Sequence, residues 1–391
     1  MKLFQRLLVA PAALGLFSPL AANATEVNLN DISNYSDVES IDFTNSFDND
    51  KPTKSPLLVG GEGLVDSYDG GFSETTTASF SADFAIGALD GKGIETGVTD
   101  GDEDLQAAYG FQIDLNTSFT GEDSLDISID AGNAPTSSGS STSPLAEFDQ
   151  NATGDTLTVD GVSYTFPIGG LTAIVGDNTD GSALFTTACV YGGPSNTLDD
   201  CGNVNAGITN GGAMAGASYD FGNGFTAAIG YAGAETGIMT KETTDAYGAN
   251  VAYTADSYGV SVTYGAIETG TNGVNESAYT ALNAYYSFDN GLNVSAGYEI
   301  GDIGGAAATS DESQYYFVGL NGEVGPGELG AAAGTYSGQL ENQTEELMYE
   351  AYYSYPVNDG MTITPLVYIK EKATAGTPDE TGIMVKTSFS F

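Results

Sequence analysis

Three kinds of side chain in this sequence could carry chemistry: its carboxylates, its two cysteines and its tyrosines. Histidine is absent, which removes a Ser-His-Asp triad, a Cys-His pair and imidazole metal ligands together. No G-x-x-x-x-G-K-[ST] phosphate loop occurs. The 53 Asp+Glu are so frequent that carboxylate pairs arise by chance and give no case for a glycosidase. Asp100, Asp102 and Asp104 imitate the opening of an EF-hand, but Leu105 stands where the loop needs Gly and Phe111 where it needs Glu. That stretch reads as an acidic loop holding divalent ions loosely. Gly60-Gly61-Glu62-Gly63 occurs once, and glycine-rich calcium repeats need several copies. No catalytic residue, metal site or cofactor is therefore expected. Cys189 and Cys201 remain as a candidate disulfide, with Tyr191, Asp199, Asp200 and Asn203 on or beside the loop they would close.

The charge balance narrows the partners. Nine Lys+Arg stand against the 53 acids, a formal charge of −44, and such a surface repels nucleic-acid phosphate. The start reads as a secretory signal over residues 1–24. Lys2 and Arg6 form a basic region, Leu7 to Leu20 an apolar stretch, and Ala22-Asn23-Ala24 a small-x-small cleavage site. Its removal leaves Lys51, Lys54, Lys92, Lys241, Lys370, Lys372 and Lys386 as the basic side chains, with no Arg. Export places the cysteines in an oxidising compartment, where a disulfide is the default. No later stretch reaches ~18 consecutive apolar residues, so the chain could enter a membrane only as a β-barrel.

The elements that must position these side chains follow from a period of two. Residues 25–73 are polar, hold no period, and read as a flexible periplasmic segment. From residue 74 to 391 the alternation is sustained. Leu105, Ala107, Tyr109, Phe111, Ile113 and Leu115 form one stripe, with Gln112, Asp114 and Asn116 on the opposite parity. Leu125, Ile127 and Ile129 alternate with Asp126, Ser128 and Asp130. In the last strand Ile383, Val385, Thr387, Phe389 and Phe391 oppose Met384, Lys386, Ser388 and Ser390. Strands fit 75–89, 104–119, 123–130, 157–167, 170–176, 212–221, 224–234, 245–255, 258–268, 277–288, 291–300, 313–322, 328–337, 346–355, 361–371 and 381–391. The connections alternate strictly between short turns, such as Gly222-Asn223 and Asp289-Asn290, and long loops, such as 90–103, 131–156 and 177–211. A soluble sandwich has no reason to sort its loops by parity; an outer-membrane barrel does, with short turns at the periplasmic end and long loops outside. The expected fold is all-β, a transmembrane antiparallel up-and-down barrel of about 16 strands.

Several segments resemble the cyanobacterial outer-membrane porins, a family related to carbohydrate-selective porins: the leader Met1 to Leu16, Tyr164-Thr-Phe-Pro-Ile168, the Cys189 to Asn203 segment and the terminal strand. The resemblance covers the leader and nearly all of 74–391, and the cysteine segment is its most specific part. Members of that family carry an S-layer-homology domain and a coiled coil before the barrel; residues 25–73 are too short for both and show neither pattern. The resemblance implies that the longest loop, 177–211, folds into the pore as a constriction bearing Tyr191, Asp199, Asp200 and Asn203. The residues alone show a long, stapled loop, equally readable as a solvated outer loop.

The functional expectation is a passive outer-membrane channel for small hydrophilic solutes or ions. Its lumen would be lined by Gln112, Asp114, Asn116, Asp126, Asp130, Glu299, Lys370 and Lys386. Acids outnumber lysines there, so cations should be preferred. Ile383, Val385, Phe389 and Phe391 should face outer-membrane lipid and signal to the barrel-assembly machinery. A homotrimer is expected by analogy with porins of this size. A carbohydrate-selective porin is the alternative within the class, and a secreted or surface β-rich adhesin the alternative outside it.

Overall fold

The computed structural model describes residues 75–90, 105–134, 144–148, 150–209, 211–240, 243–269, 275–306 and 310–391. The signal, the 25–73 segment and Asp100, Asp102 and Asp104 lie outside these residues.

Sixteen antiparallel strands close into one barrel. They are β1 Thr76–Asp90, β2 Gln106–Thr117, β3 Ser124–Gly132, β4 Thr158–Ile168, β5 Leu171–Asp177, β6 Ala213–Gly222, β7 Phe225–Gly233, β8 Asp245–Thr254, β9 Tyr258–Thr269, β10 Asn275–Ser287, β11 Leu292–Asp302, β12 Glu312–Val324, β13 Gly327–Ser337, β14 Glu346–Asn358, β15 Met361–Lys370 and β16 Glu380–Ser390. Each pairs with its chain neighbour, and β1 closes on β16, so no sheet edge is left unpaired. The bounds follow the alternation to within two or three residues. The closure reaches the chain terminus: the N–H groups of Phe80 and Phe391 each donate to the other's carbonyl at 3.0 Å, and their rings stack at 5.8 Å.

The polarity is inverted relative to a protein folded in water. One parity of most strands carries exposed apolar side chains, among them Phe84, Ile229, Val251, Leu282 and Val318. The other parity carries the buried polar ones, among them Asn250, Thr263, Asn283, Ser295 and Glu299. Ile383, Val385 and Phe389 lie on the outward parity of β16, with Phe389 edge-on to Phe84 at 6.1 Å and Phe391 exposed beyond them. Two aromatic bands bound the apolar belt. At the short-turn end stand Tyr219–Phe221, Phe225–Tyr253 and Tyr286–Phe288, with ring centroids 4.6–4.8 Å apart. At the other end the hydroxyls of Tyr247, Tyr316 and Tyr349 donate to Glu276, Glu345 and Glu371. Arginine is missing from the strands and loops, so tyrosine serves as the donor that tethers acidic loop ends to the wall.

The interior is occupied by chain, and here the sequence expectation needs correction at one point. The 131–156 connection, expected as an outer loop, sends a 3-10 turn, Pro144–Phe148, into the barrel against β1, β2 and β16. Leu145 (1% exposed) and Phe148 (3%) join Met348, Leu366, Tyr368 and Met384 in an apolar core inside the wall. Each buried side chain of that size contributes about 1.5–3 kcal/mol. On β14–β16 apolar residues therefore occupy both faces, a pattern strands adopt where both sides are covered.

Candidate functional site: the barrel interior and its inward loops

The described residues of the β5–β6 connection, 178–209 and 211–212, run inside the barrel and are bonded to its inner wall strand by strand. The N–H of Thr186 donates to Asn250 Oδ1 on β8 at 3.0 Å, that of Ala188 to Ser261 Oγ on β9 at 2.9 Å, and that of Val190 to Ser295 Oγ on β11 at 3.1 Å. Asn283 on β10 donates to the carbonyl of Cys201 at 2.9 Å. Each seat is a small or amide side chain on the inward parity, because only such groups leave room for a backbone and satisfy its N–H and C=O without water. Gly297 shows how close the approach is: a Cβ there would meet the Cys201 carbonyl oxygen at 1.8 Å. Cys189 and Cys201 are joined in a disulfide. Cys201 (φ 56) and Gly202 (φ 75) both take the left-handed conformation that turns the chain back along the wall.

The expected constriction residues separate into two groups. Tyr191 is buried and donates its hydroxyl to Glu350 Oε1 on β14 at 2.6 Å; burial, with that carboxylate, pushes its ionisation up. Asn203 is buried and donates to Thr187 Oγ1 at 3.3 Å. Tyr191 thus holds the loop to the wall, while Asn203 ties two arms of the loop to each other. Asp199 is exposed and Asp200 partly so. Burial of the Asp200 carboxyl, with Asp199 and Glu299 nearby, pushes it up to about 7 against the opposing effect of the Gly202 N–H, which donates to Oδ1 at 2.8 Å.

The expected lumen residues also divide. Glu299 faces inward but lies beneath the loop, 0% exposed. Its Oε2 accepts the N–H groups of Asn205 and Ala206, and its Oε1 the Asn205 amide, all at 2.8 Å. It is an anchor roofed over by the chain and does not line open space. Lys370 is ion-paired with Glu147 of the inward 3-10 turn and lies over the Tyr336 and Tyr368 rings. Lys386 stands over the Phe148 ring at 5.3 Å. Both lysines of the strands are thus engaged by the 3-10 turn.

The β2–β3 wall differs. Gln112, Asp114, Asn116 and Asp126 keep part of their surface accessible there. Asp114 Oδ1 accepts from Gln112 at 2.8 Å and from Ser128 at 2.7 Å; Asp126 accepts from Asn116 at 2.6 Å and Ser124 at 2.7 Å; the more buried Asp130 accepts from Thr158 at 2.7 Å. Every one of these donors is neutral, so these bonds bring no positive charge to the wall. Asp180, at the start of the inward loop, adds to this side: burial first, then Asp160 on β4, pushes its carboxyl up.

Glu147, Asn250, Ser261, Asn283, Ser295 and Glu350 were not singled out by sequence reasoning, although all but Glu147 sit on the inward parity of strands it located. Only the last property was legible. Among the described residues no group of three or more His, Cys, Asp or Glu is gathered as a metal site.

Comparison with known proteins bears on the fold. No protein-family model matches the chain, and no curated protein matches it. Solved structures do match. An engineered mutant of the Rh. blastica porin aligns with a TM-score of 0.53 at 15% identity, covering 81% of this chain and 100% of the porin. OprB of Pseudomonas putida aligns with a TM-score of 0.61 at 11% identity, covering 81% of this chain and 94% of OprB. At such identities the likeness establishes a porin-type barrel fold.

Proposed function

We propose that this chain is an outer-membrane porin, a passive channel for small hydrophilic solutes and ions that prefers cations. The observation that carries the reading is the inverted polarity: an apolar belt between two aromatic bands, around an interior of carboxylates, amides and hydroxyls. Such a belt is unstable in water and suits a bilayer, where a closed barrel satisfies every backbone group. The short-turn end faces the periplasm and the long loops the exterior, as in bacterial barrels generally. The likeness to the Rh. blastica porin and to OprB supports the channel, and the resemblance to cyanobacterial porins supports the wider family. OprB-like carbohydrate selectivity is the second reading within this class.

Cation preference rests on the division of charge inside. Inward residues of β8–β12 are largely sealed under the loop, while Gln112, Asp114, Asn116 and Asp126 of β2 and β3 stay accessible, so permeant ions travel along the latter. That wall carries Asp114 and Asp126, with the more buried Asp130 behind them; among the described residues no amine stands beside them, and the lysines of β15 and β16 are held by Glu147 and Phe148. Carboxylates lining a narrow low-dielectric passage favour cations. The test is the reversal potential across a KCl gradient in a planar bilayer at neutral pH. The expected sign is K⁺ over Cl⁻, reduced by Asp114→Asn with Asp126→Asn; a chloride-favouring sign overturns the preference. Absence of discrete conductance from folded protein overturns the channel.

A further inference from the structure

Positive charge gathers in one corner of an acidic barrel. Lys370, Lys372 and Lys386 are the lysines among the described residues, in a chain with 53 Asp+Glu. Lys370 and Lys372 both lie over the Tyr336 ring of β13, at 5.1 and 5.2 Å, and Lys386 lies over the Phe148 ring of the 3-10 turn at 5.3 Å. The counter-ions differ in kind. Lys372 pairs at 3.3 Å with Glu380, a residue of the β16 wall. Lys370, against the Tyr336 and Tyr368 rings, pairs with Glu147, which a loop carries in.

The Glu147 pairing is an imperfect one. Its Oε1 meets the Lys370 amine, but its Oε2 is buried with no hydrogen-bond partner. Glu350, 4% exposed on β14, adds a second negative charge within electrostatic reach. A buried ion pair gives little net stability over an apolar pair of similar volume, and its best-attested use is as a switch or a register. Leu145 and Phe148 already seat the turn on apolar side chains, so docking does not require the pair. What the pair does is set a carboxylate, on a short aliphatic stem, against an ammonium group with three N–H donors. The Lys370 side chain keeps 14% of its surface accessible, which leaves an incoming anion a route to it. A free carboxylate can turn both oxygens to donors or water, whereas the tethered one leaves an oxygen stranded. We propose that the Lys370 corner is a binding site for small carboxylate solutes, that Glu147 occupies it as a built-in stand-in, and that a competing carboxylate displaces the 3-10 turn from the wall. The consequence for passage rests on the channel reading given above: displacement uncovers Lys370 and Lys386 together and turns one wall of a cation-preferring lumen basic.

The test follows the turn in the full barrel in detergent at neutral pH, by chymotrypsin cleavage after Phe148. Potassium propionate, the free equivalent of the glutamate side chain, replaces KCl at constant ionic strength. In the wild type propionate should speed cleavage by roughly threefold and saturate in the millimolar range, while neutral propionamide has no effect. Glu147→Ala reverses the sign. Its turn should be cut faster from the start, and propionate, filling the vacated place on Lys370, should slow cleavage back towards the wild-type rate. Glu147→Ala with Lys370→Met should respond in neither direction. Heat-modifiable migration on a gel verifies the fold of each variant. A wild type indifferent to propionate overturns the displacement. The same sign in the wild type and Glu147→Ala, or a response that persists without Lys370, marks a general salt effect and overturns the site. In planar bilayers propionate should add to wild-type records a larger conductance level with a lower K⁺ over Cl⁻ preference; absence of that level overturns the consequence for passage. Loss of conductance in every form of the protein would count against the porin reading, whereas the cleavage assay reads the site regardless.

Discussion

The backbone N–H of Asn196 donates to the carbonyl of Glu147 at 2.8 Å, joining the β5–β6 loop to the β3–β4 loop inside the barrel. Through this contact the two loops act as one inner lining. The first covers the wall from β8 to β14; the second packs against β16, β1 and the Gly110 end of β2 and holds Lys370 of β15. The accessible carboxylates of β2 and β3 lie where neither loop covers the wall. If the chain is the channel proposed above, loop docking and ion selectivity are linked, and variants that lift a loop should alter conductance without touching a charged residue.

Gly297→Ala is the cleanest such variant. Its new Cβ would lie 1.8 Å from the Cys201 carbonyl and 2.6 Å from Asn283 Nδ2. Residues 200–206 must then move off the wall, at roughly 1–3 kcal/mol. A larger and noisier single-channel conductance is expected. Gly192→Ala, where nothing lies within 4 Å of the added carbon, should record like the wild type.

Lys370→Met should free the other loop. The amine pairs with Glu147 and lies over Tyr336 at 5.1 Å and Tyr368 at 5.6 Å. Removing it strands a carboxylate that is 6% exposed, and breaking a buried pair in this way costs roughly 3–5 kcal/mol. The 3-10 turn should become accessible to protease from the external side. Adding Glu147→Gln removes the stranded charge and should restore most of the protection; failure to do so would mean that the pair does not hold the loop.

The barrel itself was legible in the sequence, and its lining was not. Strand β2 shows why the first holds: Tyr109, Phe111 and Ile113 alternate with Gly110, Gln112 and Asp114, a local signal that needs no knowledge of the rest of the chain. Glu299 shows why the second fails. Its inward direction follows from parity, but the backbone that roofs it comes from Asn205, 94 residues earlier, and no periodicity reports so distant a contact. One local sign of the second loop was present. Met348, Leu366, Tyr368 and Met384 place apolar groups on the parity that elsewhere is polar, which marks an inner wall meant to be covered. The proline and small residues of 131–146 obscured what covers it.

The terminal residue gives a third prediction. Phe391 exchanges two backbone hydrogen bonds with Phe80 and stacks on its ring at 5.8 Å, so it completes the β1–β16 seam where the barrel closes. Deleting it removes both bonds, each worth ~1 kcal/mol net, and the outermost apolar side chain of the closing strand. Exported protein should accumulate with a reduced heat-modifiable fraction. Phe391→Tyr, which keeps the ring and the backbone, should assemble normally.

Docking of the β5–β6 loop should depend on pH through Asp200. Its carboxyl is pushed up to about 7, chiefly by burial, whereas an unfolded aspartate titrates near 3.9. The folded loop therefore binds the proton more tightly than the free chain does. The stability this confers is fully present below about pH 4 and is lost as pH rises through about 7. Above that, an ionised Asp200 faces Asp199 and the roofed Glu299, with only the Gly202 N–H at 2.8 Å to receive it. Amide exchange over residues 201–206, corrected for intrinsic rate, should be slower at pH 5.5 than at pH 8.5 relative to the strand amides of β10. Asp200→Asn should abolish the difference and keep the slow pattern at both values. If the wild-type protection is flat across this range, or if the variant keeps the dependence, Asp200 is not the group that sets it.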